Sequence, residues 1–187
     1  VNRGGYESAY SAAEMVFECR QLLAELFGAE DCKNVVFTKN ITESLNVVLK
    51  GFLKPGDHVL VSSMEHNAMM RPIVQLAKQG VEFDRMPCRE DGSLIVEEIE
   101  KLIRPNTRAI CMLHASNICG TVLPAPEVGA ICQKHGLKFI LDVAQTAGVT
   151  EINMQTMHID ALCFTGHKSL LGPQGIGGFV LKEDMIS

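Results

Sequence analysis

The chain has 187 residues, 47% of them hydrophobic and 21% charged, a balance that suits one folded domain with a sizeable core and excludes a disordered chain. A formal net charge of -5 gives no electrostatic reason to bind nucleic acid or an anionic membrane surface. No apolar run approaches the length of a membrane span and no signal peptide is visible, so a cytoplasmic location is expected.

Along the chain, helical and strand-like patterns alternate. Residues 8–27 carry apolar positions at Ala13, Val16, Phe17, Leu23, Leu26 and Phe27, a helical stripe that Gly28 can terminate. A short strand over 35–37 leads to a helix over 42–53, and Pro55-Gly56-Asp57 turns the chain into a strand at 58–62. A helix over 69–79, closed by Gly80, precedes a strand over 81–86. Asp91-Gly92 is a turn, and 96–103 is predicted to be an amphipathic helix. Strands are expected over 108–113, 137–141 and 161–164, with a crossover helix over 126–134, and 178–181 closes the set as an antiparallel strand. This alternation predicts a doubly wound α/β fold over a single domain, 1–187: a mostly parallel sheet flanked by helices in α-β-α layers.

Seven cysteines, at 19, 32, 88, 111, 119, 132 and 163, are an odd number, and most lie in apolar runs, which favours reduced core thiols. No Cys-x-x-Cys pair or Cys/His cluster has zinc spacing, so no metal site is expected. Cys119 alone sits in a polar loop beside candidate site residues.

The segment Phe164-Thr165-Gly166-His167-Lys168-Ser169-Leu170-Leu171-Gly172-Pro173-Gln174-Gly175 places one lysine at the end of an apolar strand, beneath a glycine-rich turn. Lysine is ordinarily a solvated surface charge. Held at a strand end beside His167, it can instead be desolvated and serve as a Schiff-base amine, the chemistry of pyridoxal phosphate. Such a cofactor needs a carboxylate for its ring nitrogen. Asp142, ending the run Leu137-Lys138-Phe139-Ile140-Leu141, supplies one, and Gln145 offers an amide to the phenolic oxygen.

Asp142-Val-Ala-Gln145, Thr165-Gly-His-Lys168 and the Gly-Pro-Gln-Gly turn resemble the class V aminotransferase superfamily, and within it the cysteine desulfurases and selenocysteine lyases. Phe37-Thr38-Lys39-Asn40-Ile41-Thr42 is similar to that family's phosphate loop. Met64-Glu65-His66-Asn67 resembles its ring-stacking histidine motif, and His114-Ala-Ser-Asn117 its asparagine segment. The resemblance implies the large domain of an aspartate aminotransferase-like, pyridoxal 5'-phosphate-dependent transferase, the smaller C-terminal domain lying outside these residues. It implies catalytic roles for Lys168, His66 and Asp142, and cofactor contacts from Ile41, Thr42, His66, Asn117, Asp142, Gln145, Thr165, His167 and Lys168. Ile41 departs from the small or hydroxyl residue common there and can offer only its backbone amide.

Taken singly, several of these residues have plainer readings: Thr42 as a helix cap, Asn117 as a turn residue, His66 as a surface histidine. His58, His135 and His158 read as structural or surface residues, and His114 as a neighbour of the site. The activity implied is transfer of sulfur from L-cysteine, or selenium from selenocysteine, to an enzyme cysteine, leaving alanine and a persulfide. A homodimer and a sulfur-acceptor protein follow as partners. The family's nucleophilic cysteine belongs to its C-terminal part, so the 187 residues alone are expected to be inactive. Two alternatives stay open: another class V enzyme, such as an aminotransferase or a kynureninase-like hydrolase, and a non-catalytic piece that only folds and binds phosphate.

Overall fold

The computed structural model describes residues 4–185. In chain order the elements are α1 (Glu7–Phe27), β1 (Val35–Thr38), α2 (Ile41–Phe52), β2 (His58–Ser62), α3 (Asn67–Ala77), β3 (Glu82–Met86), α4 (Ile99–Leu102), β4 (Thr107–Leu113), α5 (Ala125–His135), β5 (Lys138–Asp142), β6 (Ala161–Thr165) and β7 (Gly177–Leu181). They build one seven-stranded sheet in the order β1-β7-β6-β5-β4-β2-β3. Strands β3, β2, β4, β5 and β6 are parallel, and β7 lies antiparallel between β6 and β1.

Alternation along the strands sorts the core into two layers. Leu60, Ile110, Met112, Phe139, Leu141, Leu162 and Phe164 pack with α1, α4 and α5 on one face. Val59, Val61, Ala109, Cys111, Ile140 and Cys163 pack with α2 and α3 on the other. Both faces are therefore covered, which is why the central strands read as unbroken apolar runs. The α-β-α expectation is met.

Chain punctuation acts as the sequence indicates at Gly28, which caps α1 in the left-handed conformation at φ 63°. The helix expected over 96–103 is different: a 3-10 turn at Val96–Glu98 precedes the single turn of α4. β-Branched Ile95, Val96 and Ile99 and the helix-disfavouring position before Pro105 keep it short, and buried Ile99 anchors it. The expectation of mostly core thiols also needs correction. All seven cysteines are free, but only Cys111, Cys132 and Cys163 are buried, while Cys19 and Cys119 are exposed. An apolar helix neighbourhood does not bury a residue that faces outward on α1.

Candidate active site

The carboxyl ends of β2, β4, β5 and β6 open at one edge of the sheet, where parallel α/β proteins bind their ligands. A small cleft there is lined by Ile41, His66, Leu113, Ala115, Asn117, Asp142, Ala144, Gln145 and Lys168. Six of the nine residues expected at the site thus share one cleft. Thr42 is exposed on the first turn of α2 beside Ile41, while Thr165 and His167 sit at the end of β6, joined by an Oγ1 to Nδ1 hydrogen bond of 3.1 Å. A larger open groove of about 470 Å³ lies at the opposite edge, by Phe52, Arg108, Lys138 and Phe179, away from these residues.

Asp142 ends β5 with its side chain on the α2/α3 face and is 5% exposed. Its Oδ1 accepts the Ala144 amide at 2.9 Å, and no other hydrogen bond to this carboxyl is made by the described residues, leaving an acceptor for the cleft. Burial raises its affinity for a proton. The Ala144 amide and the positive fields of Lys168 and His66 oppose that rise.

His66 caps α3: its Nδ1 accepts the Ala68 amide at 3.0 Å, which leaves the proton of the neutral ring on Nε2. Asn40, not Thr42, caps α2, accepting the Glu43 amide at 2.9 Å while the Glu43 carboxylate reaches back to the Lys39 amide at 2.7 Å. The first-turn amides of Ile41 and Thr42 are thereby left for an anion at the positive end of the helix. His114 is buried on Thr146 at 3.0 Å, and burial disfavours its protonation.

Lys168 departs from expectation in one respect: it is exposed, so the described residues do not desolvate it. The loop that carries it is tightly folded all the same. The Leu171 amide donates to the Lys168 carbonyl, Gly172 to Gly166 and Gly166 to Ile176, at 2.9, 2.8 and 2.8 Å. Leu171, 91% exposed, adopts a left-handed φ of 57° that leucine rarely takes, a strain of the kind found where a loop serves a ligand.

One residue went unassigned in the sequence reading. Glu65 lies within the quoted Met-Glu-His-Asn motif, yet nothing in its spacing assigns it a role; only the fold brings its carboxyl to Ser62 and to the Leu113 amide. Among the described residues no group of three or more His, Cys, Asp or Glu could hold a metal ion.

Pyridoxal phosphate fits this set by its chemistry: an amine, a buried carboxyl with a spare acceptor, a flat imidazole and a helix start beside two polar side chains. The sequence matches the Aminotransferase class-V family over residues 1–187. It is 34% identical to the cysteine desulfurase IscS of Tolumonas auensis over 93% of this chain and 44% of that protein. A cysteine desulfurase of Salmonella newport is 31% identical over 100% of this chain and 47% of its own length. The chain spans about half the length of the curated relatives it matches.

Among solved structures, the apo cysteine desulfurase from Thermococcus onnurineus NA1 aligns with a TM-score of 0.91 at 34% identity, over 97% of this chain and 46% of that one. The cysteine desulfurase CsdA from Escherichia coli aligns at 0.87 and 29% identity, over 99% and 47%. SspA, solved in complex with cysteine, aligns at 0.91 and 28%, over 97% and 53%. The expected fold of the pyridoxal phosphate-dependent transferases is thus shared with cysteine desulfurases, enzymes that depend on that cofactor. A match across its whole length, joined to this common fold, establishes that the chain belongs to the class-V aminotransferase family.

Proposed function

We propose that the full-length protein is a pyridoxal phosphate-dependent cysteine desulfurase and that this chain is its cofactor-binding large domain. The observation that carries the reading is the convergence of Lys168, Asp142 and His66, from three separate strand ends, on one cleft. When bound, pyridoxal phosphate supplies an aldehyde for an amine and a ring that withdraws electrons from the substrate.

Lys168 would hold the aldehyde carbon, Asp142 the ring nitrogen, Asn117 and Gln145 the phenolic side, and the Ile41 and Thr42 amides with Thr165 and His167 the phosphate. Asp142 favours a protonated ring nitrogen because a buried carboxylate lacking a full partner gains most from a cation. His66 lines the cleft with a flat ring, and its Nε2 is the atom that would give or take a proton at the substrate. Lys168 Nζ, at the same cleft, would be a second group able to carry a proton at the substrate.

The reaction proposed takes sulfur from L-cysteine to an enzyme thiol and leaves alanine. Identity to cysteine desulfurases along the whole chain supports cysteine as the substrate. A homodimer is also proposed: Tyr10, Met15, Phe17 and Leu22 are large apolar side chains of α1 left exposed on two sides of the helix. A sulfur-acceptor protein and a cytoplasmic location complete the proposal, and no described helix is long and apolar enough to cross a membrane.

Borohydride reduction of the full-length protein followed by peptide mapping should place the pyridoxyl group on Lys168. Incubation of the unreduced protein with L-cysteine and a thiol reductant should release alanine and sulfide in equal amounts. Label on another lysine, or transamination without sulfide, overturns the assignment.

A further inference from the structure

The four-residue link from β2 to α3 is held by a different element at almost every residue. Ser63 donates both its amide and its hydroxyl to the Met86 carbonyl of β3, at 3.1 and 2.8 Å. The Met64 amide donates to Ser62 Oγ at 3.2 Å, and His66 caps α3. Glu65 reaches the other way, to β4.

The parallel ladder between β2 and β4 ends at Val61 and Cys111, so the Leu113 amide has no strand partner on that side. Glu65 takes the place of the missing strand. The Leu113 amide meets both carboxyl oxygens, at 2.9 Å to Oε1 and 3.1 Å to Oε2, and Ser62 Oγ lies 2.5 Å from Oε1. Part of the residue reaches the surface, but the carboxyl group is enclosed by protein and its two partners, a hydroxyl and an amide, are both uncharged. Asp142, on the far side of β4, acts on it as a like charge. Two carboxylates enclosed so near one another cannot cheaply ionise together, and the nearby cation, Lys168, favours charge on Asp142.

We propose that Glu65 is a positioning residue of this site, whose uncharged carboxyl clasps the ends of β2 and β4, fixes His66 at the cleft and leaves Asp142 as the single carboxylate facing it. This inference rests on the cofactor site proposed above. Burial pushes the Glu65 carboxyl up to about 8, against the lowering by Ser62 and the Leu113 amide, and the Asp142 charge adds to the rise. The groups facing it are Asp142 on β5, Cys111 on β4 and Cys88 after β3, and both thiols feel its charge. A glutamine can keep the clasp, accepting the Leu113 amide and donating to Ser62, but cannot ionise.

The test uses Glu65→Gln and Glu65→Ala in the full-length protein. Because the folded value is raised, the stability linked to Glu65 is fully present below its unfolded value, near 4.5, and is lost as pH rises through about 8. The Tm of Glu65→Gln minus that of the parent, measured without cofactor, should therefore increase from about pH 5 to about pH 8. With cofactor and cysteine, Glu65→Gln should keep kcat within about threefold, while Glu65→Ala should lose about tenfold or more in kcat with KM little changed.

A Tm difference that stays flat with pH, or an Ala variant that turns over like the parent, overturns the proposal. Should Glu65→Gln not fold, Ser62→Ala decides: removing the hydroxyl should move an infrared carboxyl titration upward, and an unmoved titration overturns it. Failure of the cofactor reading is distinguishable, since it would appear as no borohydride label at Lys168 in the parent, whatever the cofactor-free Tm profile.

Discussion

Thr107 Oγ1 accepts the Arg104 amide at 2.7 Å and shares a hydrogen bond of 2.7 Å with His58 Nδ1, tying the Arg104 turn to the imidazole through one hydroxyl. The pair closes the amino ends of β2 and β4, wholly inside the protein on the His58 side. Nε2 is 3.4 Å from Asp84 Oδ2 and finds no hydrogen-bond partner among the described residues, while Asp84 is itself paired with Arg104.

Burial lowers the proton affinity of His58, Arg104 lowers it further, and Asp84 and Glu82 oppose without prevailing. Because the folded value is depressed, the stability it contributes is present above the unfolded value of about 6.5 and is lost as pH falls below it and through the folded value. The urea midpoint should fall between about pH 7 and about pH 5, and His58→Gln should flatten that fall. Thr107→Val strands the Arg104 amide and His58 Nδ1 together and should cost about 1–3 kcal/mol. An acid profile unchanged in His58→Gln would assign the loss to other groups.

Gly177 joins the sheet to the proposed phosphate end of the site. A Cβ there would lie 2.7 Å from the backbone of Asn40, the cap of α2, and 3.0 Å from the Phe164 carbonyl. Gly177→Ala should cost about 1–3 kcal/mol as the crowded strand shifts. The displaced cap should also weaken inorganic phosphate or cofactor binding, read by calorimetry on the full-length protein. Unchanged binding beside lowered stability would separate β7 from the site.

Asp142→Asn keeps the shape of the side chain and removes its charge. Cofactor occupancy, read by absorbance, should fall little, whereas kcat should fall about 100-fold or more. Equal activity in the variant and the parent would remove Asp142 from the electronic role.

Hydrogen bonding with Ser116 and Thr121 holds the exposed Cys119 thiol down at about 7, while burial drives Cys111 and Cys163 well above the ordinary thiol range. Iodoacetamide at neutral pH should therefore alkylate Cys119 in the native protein and spare Cys111 and Cys163 until it is denatured. Peptide mass spectrometry reads the order. Early labelling of either buried thiol would mean that the sheet opens more readily than its packing implies.

Strand positions were legible in the sequence because a doubly covered sheet requires apolar runs, and the runs ending at Leu141 and Phe164 needed no partner to be recognised. Gly28 and Gly80 marked helix ends for an equally local reason: glycine accepts the left-handed backbone that stops a helix. The residues of the cleft were legible as motifs, since Asp142 and Lys168 each sit at the end of such a run. The break of the 96–103 helix was not, because the anchoring of Ile99 and the cost of the pre-proline position decide it only together.

What the sequence by itself determined was therefore the order of elements, the edge of the sheet where the proposed site lies, and the residue types gathered there. Local backbone preference and hydrophobic period are properties of the chain. Tertiary structure alone decided that Lys168 stays in solvent and that Glu65 replaces a strand at Leu113. The first depends on whether a neighbouring element covers the residue and the second on a polar group finding its partner 48 residues away, and hydrogen-bond satisfaction at that separation is settled only when the sheet has closed.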